Sequence, residues 1–216
     1  MKIIITGATG MIGEGVLLEC LNNPKITEIL SVSRKPSGKT HAKLKEYLVA
    51  DFLSISENDE KLSGYDACFF CAGVSSIGMS EIDFERNTYS TTIQFAKALN
   101  PSPKMSFIYV SGSGTDSTET GRLHWARVKG KTENELMAMP FKQAFGFRIG
   151  MVQPTTSQLH VLPYYKYLAW LVPILKVLTP NIISTMKQVA NAMVYFSENG
   201  FERNVIFVKD INKLKS

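Results

Sequence analysis

Residues 6–13 read Thr6-Gly7-Ala8-Thr9-Gly10-Met11-Ile12-Gly13 and follow directly on the apolar run Ile3-Ile4-Ile5. A buried strand therefore runs into a Gly-x-x-Gly-x-x-Gly loop, and the loop into a helix carrying Val16, Leu17, Leu18 and Leu21. In that context each glycine has its own task. Gly7 takes the tight turn off the strand, Gly10 lets the backbone approach a phosphate, and Gly13 lets the helix pack closely on the sheet. The helix start offers unpaired N–H groups and partial positive charge to an anion. The stretch predicts a dinucleotide diphosphate site, with Thr9, Met11 and Ile12 completing the cradle.

Outward from this loop, short β-rich runs alternate with helical stretches, the pattern of a parallel sheet covered on both faces. Strands are predicted near 2–6, 28–33, 46–50, 66–72, 105–111, 143–149 and 204–208. Helices are predicted over 11–23, 80–99, 124–139, 163–178 and 185–199. Pro101-Ser102-Pro103 breaks the chain before the fifth strand. The 216 residues fit one α/β domain, 1–216, in which 151–203 forms a substrate-side lobe or lid. Right-handed crossovers bring the ends of the first, second, fourth and fifth strands to one rim, where open sheets bind ligands.

The formal charge of +5 is mild, and 24 Lys and Arg are scattered among 19 Asp and Glu. Nucleic acid is therefore not expected as a partner. The amino terminus enters a strand at once, with no pattern of a secretory signal, and the expected location is cytoplasmic. Cys20, Cys68 and Cys71 make an odd count that suits a reducing compartment. Cys68 and Cys71 form a Cys-x-x-Cys spacing, but residues three apart in a buried strand point to opposite faces, so a structural role is expected. No ligand-like His cluster accompanies them, and no metal is expected.

The residues that carry chemistry fall at the strand ends. After the second strand, an NAD-binding chain places Asp or Glu against the ribose hydroxyls. Here the chain reads Ser33-Arg34-Lys35. Two cations and a hydroxyl suit the 2′-phosphate of NADP, which a carboxylate would repel, so NADP is favoured over NAD. A solvated basic loop is the plain alternative. Asp51-Phe52 follows the third strand, where Asp51 either accepts from an adenine amino group or simply caps a turn. Cys71-Ala72-Gly73 closes the fourth strand with small residues that let a cofactor pass, although Gly73 also suits a strand terminator.

This order of motifs resembles the short-chain dehydrogenase/reductase superfamily, in particular its atypical and extended branches, which include nucleotide-sugar epimerases and NmrA-like proteins. The likeness covers about residues 1–155, from the glycine loop through Asn87-Thr88 and the Tyr109-Val110-Ser111-Gly112-Ser113-Gly114 strand end to Lys129. It implies an α/β Rossmann fold: a doubly wound, mostly parallel sheet with helices on both faces and a small helical C-terminal lobe.

The resemblance also implies site roles. A Tyr-x-x-x-Lys pair on one helical face performs proton transfer in such proteins, the phenol as acid or base and the Lys on the nicotinamide ribose. Lys129 matches the Lys, but the Tyr position reads Trp125. An indole N–H does not exchange its proton near neutral pH, so Trp125 is not that acid or base. The Ser that polarises the substrate carbonyl falls on Ser111 or Ser113, where a turn-forming role is the alternative. Asn87 resembles the helix Asn that shapes the active site, with a cap or local bond as the alternative. Arg148-Ile149-Gly150 matches a segment whose backbone faces the nicotinamide amide, with Ile149 where relatives often carry Pro, and anchoring of the sheet end is the alternative for Arg148. His124, Tyr89 and Tyr109 are weaker candidates to replace the missing phenol.

From His160 to Thr179 the chain is apolar and aromatic, broken by Lys166, Lys176, Pro163 and Pro173. Interior charges and prolines argue against a membrane span. A lid over the substrate, a homodimer surface and a helix lying on a membrane surface remain as readings. Two functions follow from the whole. One is an NAD(P)-dependent oxidoreductase or epimerase-like enzyme acting on a small carbonyl or sugar-like molecule; the other is a non-catalytic NADP-binding redox sensor.

Overall fold

The computed structural model describes residues 1–57, 59–161 and 181–214. Its centre is β1 (Lys2–Thr6), whose Ile3 and Ile5 enter one apolar cluster while Ile4 enters another on the opposite face. That alternation is why the isoleucine run needs cover on both sides. On one face lies α1 (Met11–Asn22), burying Val16, Leu17 and Cys20. The other face is filled by Phe70, Phe95, Phe107 and Tyr109.

Seven parallel strands form the sheet: β1, β2 (Glu28–Ser33), β3 (Leu44–Leu48), β4 (Ala67–Phe70), β5 (Ser106–Val110), β6 (Gln143–Arg148) and β9 (Val205–Phe207). They lie in the order β3-β2-β1-β4-β5-β6-β9, all pairs parallel. The order reverses between β1 and β4, which opens a crevice at their carboxyl ends.

Several sequence expectations shift. The third strand sits two residues earlier than expected, at 44–48. The helix expected over 80–99 is instead α2 (Glu81–Glu85), a π-helical turn (Arg86–Ser90) and α3 (Thr91–Ala98). From the start of α3, the Thr91 and Thr92 hydroxyls donate back to the carbonyls of Arg86 and Thr88 in that turn, and such back-bonding disturbs a regular helix. The helix expected over 124–139 appears as α4 (His124–Ala138).

Beyond β6, two short strands absent from the sequence reading, β7 (Met151–Gln153) and β8 (Ile183–Thr185), pair in parallel. They lead into α5 (Met186–Asn199), which opens on a Thr185/Gln188 capping box. Although α5 falls within the 151–203 lobe expected from sequence, its Met186, Val189, Met193 and Phe196 belong to the main core with α1 and β1. It packs on the sheet face beside α1. A short α6 (Val208–Lys213) follows β9. The helix expected over 163–178 lies outside the described residues, as does most of the apolar 160–179 stretch. Among the described residues no helix is long and apolar enough to cross a membrane.

Candidate functional site

A cavity of about 860 Å³ opens at the carboxyl ends of β1, β2 and β4. That volume is in the range of sites for large cofactors. Gly7, Thr9 and Gly10 line it from the first loop, Ser33, Arg34 and Lys35 from the second, Phe52 from the third, and Cys71, Ala72 and Gly73 from the end of β4. Residues separated by most of the amino-terminal half of the chain thus meet on one rim.

The glycine loop is built as a cradle. Gly7 has φ +72°, and a Cβ there would lie 2.7 Å from the Cys71 carbonyl and the Ala72 nitrogen. The Thr6 hydroxyl accepts from the Ala72 N–H at 3.1 Å and ties the same two segments. Gly13 lies beneath, where a Cβ would be 2.1 Å from the Gly7 carbonyl oxygen. Gly10 is the N-cap of α1 and has no side chain to satisfy its first turn. The first-turn amides of Met11, Ile12 and Gly13 therefore have no helical acceptor and suit a diphosphate. Met11, Ile12 and Gly13 offer only this backbone and are not among the cavity-lining residues.

At the end of β2, Arg34 and Lys35 are exposed, and neither has an ion-pair partner among the described residues. Ser33 does not add its hydroxyl to that pair, as the sequence reading expected. It is buried and donates to the Lys35 carbonyl at 2.6 Å, folding the loop so that the two cations stand out. Asp51 takes its plainer alternative, accepting from the Leu53 N–H at 3.0 Å as the cap of a short turn. Phe52 is held by ring contacts with Phe95 and Phe70 at 5.4 and 6.4 Å. Burial pushes the Cys71 thiol up to about 12 and the Cys68 thiol well above its ordinary value, so both are protonated near neutral pH.

Of the residues assigned to catalysis, Lys129, Ser111 and Ser113 lie at the next rim position, the end of β5. Lys129 on α4 donates to the Ser111 carbonyl at 2.7 Å, and burial lowers its ammonium from the ordinary value, opposed by the Glu133 carboxylate. The Ser111 side chain is not presented to a substrate. It is buried and donates to Glu133 at 2.5 Å. Ser113 is the exposed hydroxyl of the pair, donating to the Ile149 carbonyl at 3.1 Å. Trp125 packs against the Ser113-Gly114 turn, its ring 3.0 Å from where a Gly114 Cβ would sit. Asn87 lies in the π-helical turn and donates to the Asp83 carbonyl at 2.8 Å.

The Arg148 side chain takes its alternative role. Its guanidinium pairs with buried Glu133 at 2.5 Å and donates to Ser117, anchoring the sheet end. Gly150 is needed for packing, since a Cβ there would lie 2.2 Å from the Ile182 carbonyl. Of the residues the sequence offered for the phenol's role, Tyr109 is buried and its phenol raised by that burial, Tyr89 bonds Glu135, and His124 lies against Phe84 and Glu81. Among the described residues no three or more His, Cys, Asp or Glu side chains form a metal-holding group.

The sequence reading missed His160, which lines the cavity, and Glu14 and Lys39, which pair beside it. The signal for Glu14 was a charged residue directly after the third glycine, on a face that must be buried.

Comparison with known proteins accords with this architecture. The model of the NAD dependent epimerase/dehydratase family matches residues 3–122. Protein fmp52-1, mitochondrial, of Aspergillus terreus is 24% identical over 166 residues, 73% of this chain and 69% of that protein. The leucinostatins biosynthesis cluster protein T of Purpureocillium lilacinum is 29% identical over 143 residues, 64% of this chain but only 52% of that protein. Among solved structures, the Bordetella bronchiseptica enzyme WbmF in complex with NAD+ superposes with a TM-score of 0.63 at 13% identity, covering 98% of this chain and 76% of that one. The UDP-glucuronic acid 4-epimerase of Bacillus cereus in complex with NAD gives 0.63 at 16%, covering 95% and 76%. The cytoplasmic expectation is overturned by the fmp52 relatives, which are named as mitochondrial proteins. The glycine cradle, the seven-stranded parallel sheet and the family match over more than half its length place this chain in the NAD dependent epimerase/dehydratase family, as a nicotinamide-dinucleotide-binding Rossmann protein of the short-chain dehydrogenase/reductase kind.

Proposed function

We propose that this chain binds NADP in preference to NAD and serves as an oxidoreductase or epimerase-like enzyme on a small carbonyl or sugar-like substrate. The observation that carries the cofactor choice is the exposed Arg34-Lys35 pair, which lines the cavity at the ribose position without ion-pair partners among the described residues. The 2′-phosphate supplies the anions that such a pair lacks. Removing the Arg34 guanidinium by Arg34→Ala is expected to weaken NADPH binding by about ten- to a hundredfold, the scale of a charged hydrogen bond, and to leave NADH nearly unchanged. Titration calorimetry with both nucleotides decides this. Equal affinities in the wild-type chain, unaffected by the substitution, would refute the preference.

The nucleotide supplies the hydride when bound. Lys129 is proposed to hold its ribose, Ser113 to donate to the substrate carbonyl, and the chain after β6 to form the substrate side. Trp125 contributes surface and one N–H donor, and the proton comes from water or another neighbouring group. Trp125→Tyr puts a phenol four residues before Lys129 and is expected to raise NADPH-dependent turnover of a carbonyl panel by about a hundredfold.

A second reading is favoured by the same residue. With the indole over Gly114, the chain binds the nucleotide and reports its redox state to a partner without turnover. Tight binding with no hydride transfer on any carbonyl, in a chain that gains activity only as Trp125→Tyr, supports this sensor.

A further inference from the structure

Two walls of the cavity are tied together by one buried carboxylate. Glu14, in the first turn of α1, is fully buried, yet its oxygens meet donors from two other segments. Lys39, from the loop after β2, places its ammonium 3.0 Å away. From the chain after β7 come the Leu159 N–H at 3.0 Å, the His160 N–H at 2.6 Å and His160 Nδ1 at 3.0 Å. Burial pushes the Glu14 carboxyl up, but the bonds from the His160 and Leu159 amides, Lys39 and the His160 ring outweigh it and hold the group below its ordinary value. Gln158 Nε2, donating to the Met11 carbonyl at 2.6 Å, and the Thr155 hydroxyl on Glu19 fasten the same stretch to α1.

A carboxylate this close to the amides that face a diphosphate opposes the ligand unless its own charge is met. Here it is met, by the Lys39 ammonium from one wall and by the Leu159 and His160 donors from the other. An ionised carboxylate only accepts, so the His160 ring nitrogen that faces it carries a hydrogen. Nε2 is left as the ring atom with no partner among the described residues. The ring is 46% exposed and lines the cavity together with Gly7, Thr9 and Gly10, the residues of the diphosphate loop.

We infer that His160 is a ligand-contacting residue that, as the imidazolium with a hydrogen on each ring nitrogen, donates from Nε2 to the diphosphate of the bound dinucleotide, and that Glu14 is the positioning residue that holds the ring there. This rests on the dinucleotide reading of the cavity. Because NADH and NADPH share the diphosphate, the contact serves both, unlike that of Arg34.

The test is calorimetry of the full chain with NADPH and NADH, for the wild type, His160→Ala, Glu14→Gln and the double variant. His160→Ala is expected to weaken both nucleotides equally, by about three- to tenfold, as loss of one hydrogen bond would. Glu14→Gln is expected to cause a similar loss, with no further loss when His160→Ala is added, because the two act as one unit. Unchanged binding by His160→Ala, or a loss confined to NADPH, overturns the diphosphate contact. Additive losses overturn the positioning role of Glu14. A wild-type chain that binds neither nucleotide overturns the dinucleotide reading itself and this inference with it, whereas wild-type binding untouched by His160→Ala overturns only the inference. Should Glu14→Gln fail to fold, His160→Ala still decides, since its ring is half exposed.

Discussion

Alanine in place of Gly13 is expected to lower stability by about 1–3 kcal/mol and to weaken dinucleotide binding by about a hundredfold or more. A Cβ at that position would sit 2.1 Å from the Gly7 carbonyl oxygen and 2.4 Å from its carbon. Both neighbours are backbone, so no side chain can swing away. The helix start must lift off the strand end, and the first-turn amides move with it by a distance on the order of 1 Å, enough to spoil their aim at the diphosphate. Gly73→Ala serves as the control, since a Cβ there meets nothing within 4 Å in the free protein. Urea unfolding should separate the two variants clearly. At Gly10 the nearest atom to a Cβ is 3.4 Å away, an ordinary contact, so packing in the free protein does not call for that glycine. A Gly13→Ala chain that binds like the wild type would show that the cradle is not the nucleotide site.

The three glycines therefore do different work, and this difference explains which parts of the site could be read from sequence. Gly7 and Gly13 answer to close backbone approaches that any strand-loop-helix of this spacing imposes, so their positions were legible along with β1 and α1. The Ser33-Arg34-Lys35 and Cys71-Ala72-Gly73 segments were legible because the parallel topology, once inferred, sends those strand ends to the same rim. What stayed hidden depends on side chains meeting across long sequence separations. Nothing local marks the Ser111 hydroxyl as a donor to Glu133 instead of to a substrate, or Arg148 as the partner of that carboxylate. The pairing of Glu14 with Lys39 and His160 joins residues up to 146 apart in the chain, beyond any periodicity. The π-helical turn at Arg86–Ser90 escaped for a different reason: the Thr91 and Thr92 hydroxyls compete with the helical ladder only once the helix has formed. The β7-β8 pair escaped because three-residue strands carry too little alternation to register.

Glu133→Ala is expected to be the most destabilising single change at the site, costing about 3–5 kcal/mol, a large part of the typical stability of a domain. Glu133 is 1% exposed and accepts from Ser111 at 2.5 Å and from Arg148 at 2.5 and 3.2 Å. The alanine leaves the Arg148 guanidinium, whose side chain is only 12% exposed, without its carboxylate, and leaves the Ser111 hydroxyl without its acceptor. Breaking one side of such a pair strands a charge in a poor solvent, which is why the cost exceeds the value of the pair itself. Replacing both partners, as Glu133→Met with Arg148→Met, removes the stranded charge and should recover most of the loss, although the Ser111 hydroxyl stays unpaired. Gly146 marks how tightly this space is filled, because a Cβ there would lie 2.3 Å from a Glu133 oxygen. Because Ser111 also supplies the carbonyl that holds Lys129, the double variant is expected to regain stability without regaining full dinucleotide affinity. Urea unfolding of the three chains, followed by calorimetry of the double variant, tests both halves. A Glu133→Ala chain within about 1 kcal/mol of the wild type would mean that water reaches Arg148 and that the network is not what secures the β5 and β6 ends.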